Sequence, residues 1–217
     1  MTGASREIEF IILATTKVGD TSLVLHTLSQ EYGRHSFIVT LRKSSGLYMP
    51  LNILTARITE SSRTDLWKAT DVKAAWPLSG IRSNIHKNTI TLFLSEVLYR
   101  SLKDGANEEN LYPWCRTMIL TLDSLQSDFA SFHLKFLLDY AAALGFRADI
   151  QNLSPFAGER REDLERLLTL DFGEFLLYPL DGRRRNEIAE ILLEYLSYHL
   201  DSRLNIQSLK VLRELYS

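Results

Sequence analysis

The sequence predicts an α+β chain: an N-terminal five-stranded β-barrel, then an all-α helical C-terminal domain. Three observations carry this. Apolar residues recur at period 2 up to Trp76 and at period 3.6 after Pro77. Turn signals fall about every 10–15 residues in the first part, the spacing of a small barrel or sandwich. Of 217 residues, 45% are hydrophobic and 24% charged, ordinary for a chain that buries a core without staples. The boundary is set between 1–78 and 79–217.

Five strands are read in order. In the first, Ile8, Phe10, Ile12 and Ala14 alternate with Glu7, Glu9, Ile11 and Leu13, and Lys17-Val18-Gly19-Asp20 turns. TSLVLHTLS is the second, ended by Gln30 to Arg34. In the third, Phe37, Val39 and Leu41 take the core face, and a basic loop over Arg42 to Gly46 follows. LNILTARITES sets Leu54, Ala56 and Ile58 inward against Thr55, Arg57 and Thr59. DLWKATDVKAAW is the fifth. Five strands in about 75 residues fit an OB-fold, and SH3-like barrels have a similar strand count.

Ser79 is the N-cap region of the helical part. Ile90, Leu94, Val97 and Ser101 mark one face of the first long helix, and Gly105 stops it. Helices are expected over 108–124 and 128–144, then over ERREDLERLL, 184–201 and 206–216. Residues 146–159 read as irregular, and LDFGEFLLYPLDG as an extended or turn-rich link.

Chemistry is excluded more readily than assigned. Cys115 is the only cysteine, so there is no disulfide framework and no multi-Cys zinc site. It reads as a buried, inert thiol. The chain lacks a P-loop, a GxGxxG, an HExxH and a GxSxG. His26, His35, His86, His133 and His199 never pair at helical spacing, so no metal site and no catalytic residue is predicted. No apolar run approaches the roughly 18 residues of a spanning helix, and no signal peptide is read, so a cytoplasmic protein without membrane contact is expected.

Charge is uneven. Residues 1–78 carry nine Lys/Arg and seven Asp/Glu, while 79–217 carry sixteen and twenty, within a net charge of -2. No acid lies between Glu31 and Glu60, a stretch holding Arg34, Arg42, Lys43 and Arg57. A second acid-free stretch, from Asp71 to Glu96, holds Lys73, Arg82 and Lys87. These form either a solvated face or a groove for nucleic acid, in which cations neutralise phosphates and aromatic rings stack on bases. Tyr32, Phe37, Tyr48 and Trp67 are the candidate rings, with Phe37 read as core. Arg183, Arg184 and Arg185 are read as a helix flank balanced by Glu187 and Glu190, or as a further phosphate or acidic-peptide contact.

IILATTKVGDTSLVLHTLSQEYGRHSFIV, the loop RKSS, MPLN, WPLSGIRSNIHKNTITLFLSEVLYRSL, FASFHLKFLLDYAAALGF, YLSYHL and QSLKVLRELY occur in an order and spacing that resemble the RecO family. The resemblance spans nearly the whole chain. It implies an OB-fold, a helical C-terminal domain and no enzymatic activity. It also implies a mediator of DNA repair and recombination that binds single- and double-stranded DNA and anneals complementary strands. The implied partners are RecR, the C-terminal tail of single-strand DNA-binding protein and, indirectly, RecA, with the protein a monomer on its own. Many family members carry a four-Cys zinc site, but Arg147 to Pro179 contains no Cys. A zinc-less variant without cofactor is therefore expected, in which segment 147–183 is irregular and held by packing of Leu153, Phe156, Phe172 and Phe175.

On position and chemistry, DNA contacts are expected at Lys17, Arg34, Arg42, Lys43, Arg57 and Lys68, extended by Lys73, Arg82 and Lys87. The partner tail is expected at Lys135 and Phe136, with Arg116 as a second cation. The alternative function is a protein-only scaffold that binds partner tails without touching DNA.

Overall fold

The computed structural model describes residues 5–41, 45–61, 64–106, 108, 110–146 and 148–216. The expected calls at Arg42 and Lys43 lie outside them. The chain divides into two compact units. One is Met1–Ser79 with Leu98–Leu120, the other Gly80–Val97 with Thr121–Ser217.

In the first unit a long first strand serves two neighbours. The N-terminal half of β1 (Ser5–Val18) pairs with β4 (Ile53–Thr59), from Ser5 opposite Thr59 to Ile11 opposite Ile53. Its C-terminal half pairs with β2 (Ser22–Ser29), from Phe10 opposite Ser29 to Val18 opposite Ser22. The change-over is marked by a bulge between Ile12 and Ala14, the bend that lets one strand belong to both sides of a barrel. β3 (Gly33–Thr40) follows antiparallel to β2, and Gly33 supplies the positive φ of 58° that their turn needs. β5 (Trp67–Ala74) closes the barrel in the order β1-β2-β3-β5-β4.

One pairing is not antiparallel. β5 runs parallel to β3, with Phe37 opposite Trp67 and Ile38 opposite Lys68. The chain reaches β5 from the far end of β4, so its antiparallel pairing with β4 leaves it parallel to β3. The closed mixed five-stranded barrel is the predicted OB-fold architecture. Its core holds Ile8, Phe10, Ile12, Phe37, Val39, Leu54, Ala56 and Ile58, read from the alternation, together with Leu25 and Ala69, while Ala14 and Leu41, read on the same faces, are only half-buried.

Between β3 and β4, a 3-10 turn over Ser45–Tyr48 is tied down by Asn52, whose Nδ2 donates to the Gly46 carbonyl at 3.1 Å and the Leu47 carbonyl at 2.8 Å. In β5 a second bulge sets Asp71 and Val72 opposite Ala56 alone, and Asp71 takes a φ of 53°. That conformation is tolerated by Asp more readily than by bulkier residues.

In the second unit the helices are α1 (Ser79–Arg82), α4 (Phe132–Ala143), α5 (Ile150–Ala157), α6 (Arg161–Leu167), α7 (Phe172–Leu177), α8 (Gly182–His199) and α9 (Ser208–Tyr216). Two more, α2 (Ile85–Ser101) and α3 (Leu111–Ser124), have residues in both units. α4 packs on α7 and α8, and α5 on α6 and α8. Phe132, Phe136, Tyr140, Leu164, Phe175, Ile188 and Tyr195 form the buried interior.

The two segments read as irregular are helices. α5 starts at Asp149, whose side chain accepts from the Asn152 amide at 3.0 Å. α7 starts with a full capping box: Asp171 accepts from the Glu174 amide at 2.8 Å and Glu174 accepts from the Asp171 amide at 3.2 Å. Pro155 and Gly173 disguise both in the sequence, because each residue disfavours helix interiors. Packing of this segment follows the expectation. Leu153 and Phe175 are buried, Phe172 meets Phe132 edge-on at 6.3 Å, and Phe156 meets Tyr195 edge-on at 5.8 Å.

Residues 147–183 offer no thiolate, so a four-Cys zinc site does not fit them. Among the described residues no group of three or more His, Cys, Asp or Glu is placed to hold a metal ion. No described helix is long and apolar enough to cross a membrane.

Candidate nucleic-acid interface

Strand alternation puts Arg57 of β4 and Lys68 and Lys73 of β5 on the outer barrel face, opposite the inward Ala56, Ile58 and Ala69. Lys73 stands opposite Thr55, Lys68 opposite Thr59, and Arg57 opposite Thr70. The bulge brings Asp71 to 4.0 Å from the Arg57 guanidinium. Both groups are exposed, so this pair holds weakly and is screened by salt. Lys17, at the end of β1, is exposed and lies 4.0 Å from Asp20.

Beside this face is a cleft of about 550 Å³ lined by Val39, Thr40, Tyr48, Lys68, Thr70 and Asp71. The 3-10 turn contributes Leu47 and the half-buried Tyr48 ring to the lining. A cation, hydroxyl groups and a ring in one cleft can hold a phosphate and stack a base. Arg42 and Lys43 connect β3 to this turn along the chain.

Tyr48 packs against the barrel core, as do the other candidate rings. Phe37 is buried against Phe10 at 5.5 Å, as the alternation requires. Tyr32 meets Trp67 edge-on at 5.0 Å and donates its hydroxyl proton to Glu60 at 3.1 Å. Trp67 in turn packs on His35 at 4.2 Å. Burial lowers the basicity of both His35 and His26. His26 bridges Thr16 at 3.0 Å and Ser36 at 2.9 Å across β1, β2 and β3.

Three expected phosphate cations are placed inward. Arg34 is 3% exposed, with its guanidinium 5.0 Å over the Tyr99 ring. Lys87 is also 3% exposed. Its ammonium donates to the Asp123 carbonyl at 3.0 Å and to the Leu125 carbonyl, at the C-terminal end of α3. A cation there answers orphan carbonyls and the helix dipole. Arg82 donates to Asn88 Oδ1 at 2.8 Å, and Asn88 donates back to the Ile81 carbonyl at 2.8 Å. The Asp123 side chain completes this corner by accepting from the Ile81 amide at 2.7 Å. Lys87 and Arg82 thus work as internal fasteners in this structure rather than as a surface path.

The residues expected to hold a partner tail each have partners within their own unit. Phe136 is 1% exposed and stacks on Tyr140 at 6.0 Å, in the core. Lys135 pairs with Asp139 at 2.6 Å and lies 5.8 Å over Phe175. In the other unit, Arg116 donates to Glu9 at 2.9 Å and lies 5.0 Å over the exposed ring of Trp76. Tyr112 donates to the same Glu9 oxygen at 2.6 Å, and burial, then that bond, raises its hydroxyl far above its ordinary range. Sequence periodicity carries no sign of this contact, because Glu9 and Tyr112 are 103 positions apart.

The basic run behaves as a helix flank. Arg183 donates to Glu187 at 2.8 Å, Arg184 grips Asp163, and Arg185 donates to the Leu180 carbonyl. Cys115 is fully buried, which pushes its thiol up and keeps it protonated.

Comparison with known proteins adds a lineage to this geometry. Residues 82–154 match the family described as "Recombination protein O C terminal". Over 95% of this chain and 97% of the relative, it is 29% identical to a protein of Flavobacterium psychrophilum named "DNA repair protein RecO". A protein of Phocaeicola vulgatus with the same name is 25% identical over the same shares. A third, from Porphyromonas gingivalis, is 26% identical over 88% of this chain and 90% of its own length.

Proposed function

We propose that this chain, similar over nearly its whole length to proteins named for DNA repair, is a mediator of DNA repair and recombination of the RecO family that holds DNA on its barrel. The observation that carries the reading is the cleft lined by Lys68, Thr40, Thr70 and Tyr48, beside the exposed Arg57 and Lys73 of the outer barrel face. Arg42, Lys43 and Lys17 are proposed as further phosphate contacts on their place in the sequence and their charge alone.

The work is done without making or breaking a covalent bond. Cations on β4 and β5 neutralise phosphates and release counterions, which sets affinity and leaves sequence unread. A stacked base at Tyr48 leaves its pairing edge open to a complementary strand. Annealing then needs only two strands held close at reduced repulsion. With RecR, and with the tail of single-strand DNA-binding protein held by the helical part, the same surface would help RecA onto covered DNA.

A fluorescence-transfer assay with complementary labelled oligonucleotides tests this reading, with and without single-strand DNA-binding protein. The protein should speed pairing, and charge reversal at Lys68 with Lys73 should remove most of the gain. An unchanged pairing rate, together with binding of the tail peptide, would replace this reading with the protein-only scaffold.

A further inference from the structure

The backbone of Arg34 is anchored on both sides: its amide donates to the Ala106 carbonyl and its carbonyl accepts from the Gly105 amide, each at 2.8 Å. The turn that carries Asp104 is thereby fixed beside β3. Arg34 offers five donors, yet Nε and Nη1 are closed to solvent and have no hydrogen-bond partner among the described residues. The Asp104 carboxylate lies 3.4 Å from Nη1, an ion pair without hydrogen-bond alignment, and the Asp104 side chain is 80% exposed. His35 Nε2 is equally unpartnered. Arg34, His35, Ser36, Asp65 and Asp104 line one niche of about 440 Å³.

A buried guanidinium with idle donors carries the cost of desolvation without full return. A water-exposed carboxylate at that distance returns little of it, because solvent and salt screen the pair. A phosphate oxygen pair fits the planar fork in the bidentate way that Asp104 does not. A second carboxylate in the lining, Asp65, disfavours a dianion and leaves the singly charged phosphodiester as the better fit.

We propose that Arg34 is a masked phosphate site, covered by Asp104, which a DNA backbone phosphodiester displaces. The DNA part rests on the function proposed above; the phosphate chemistry stands without it.

The test uses the full chain with Asp104→Asn, an exposed substitution that leaves the fold intact. Single-stranded DNA should bind about three- to tenfold more tightly, and the slope of log affinity against log salt should steepen by about 0.7, one further phosphate contact. Asp201→Asn, the same charge change in the other unit, should do neither. Adding Arg34→Lys to Asp104→Asn should erase the gain, because an ammonium lacks the fork. In parallel, dimethyl phosphate should shift the Arg34 Nε–H resonance of Asp104→Asn more than inorganic phosphate does. Unchanged affinity and slope in Asp104→Asn, or an equal gain in Asp201→Asn, overturns the proposal. An equal or larger shift with inorganic phosphate overturns the phosphodiester assignment. If the wild-type chain binds no DNA, the proposed function fails, while the dimethyl phosphate shift still decides whether the masked site exists.

Discussion

Asp163 shows how one side chain can serve several elements. It accepts from Arg184 Nε at 3.1 Å, Tyr178 at 3.1 Å and Arg160 at 3.4 Å, joining α6 to α8 and to the turn after α7. Arg184 above all holds its carboxyl below the usual range. A depressed carboxyl stabilises the fold at neutral pH and loses that contribution as pH falls below about 4. His133 acts over a higher window. Fully buried beside Phe93 at 5.8 Å, its imidazole is pushed down to about 3, by burial first and Arg185 second. The unfolded chain therefore takes up a proton near pH 6.5 that the folded chain refuses, and stability falls from about there as pH drops. Denaturant titrations from pH 7 to 4 should show this slope in the wild type, and His133→Leu should flatten it. The sequence names both residues as ordinary polar groups; their surroundings, which decide their behaviour, come from chain segments far away.

Elements were readable where one period ruled. Leu54, Ala56 and Ile58 of β4 point inward as alternation requires, and Ile90, Phe93, Leu94 and Val97 of α2 are buried at helical spacing. α5 and α7 were hidden because a helix of eight or six residues shows too few turns to establish a period. Their capping residues, Asp149 and Asp171, were the available signal. Asp171→Ala removes one half of a capping box and should lower unfolding free energy by about 1 kcal/mol in urea titrations. The corner between α1 and α2 has no such tolerance. A Cβ at Gly80 would lie 2.0 Å from the Asp123 carbonyl oxygen, so Gly80→Ala must push α1 off the end of α3. Lys87→Met leaves the carbonyls of Asp123 and Leu125 without their donor and should cost about 1–3 kcal/mol. It should leave DNA affinity in the folded protein unchanged, which separates an internal fastener from a phosphate contact.

At the scale of the whole molecule, strand count and size pointed to an OB-fold, but closure depends on the parallel meeting of β3 and β5, which no local pattern encodes. The candidate site was legible to the same degree. An acid-free stretch announces cations, while only the fold separates the outward Arg57, Lys68 and Lys73 from the inward Arg34 and Lys87. Counting charges therefore overstates the open basic surface; DNA affinity should depend on the outward set and, once Asp104 is displaced, on Arg34. The measurement that tests this most directly is fluorescence anisotropy of a labelled single-stranded oligonucleotide from about 50 to 200 mM salt, with wild type and Lys68→Glu. The account predicts salt-steep binding by the wild type, weakened several-fold in Lys68→Glu with a slope shallower by about 0.7, the share of one phosphate contact. No binding by the wild type at low salt, or equal affinity and slope in the two proteins, would contradict it.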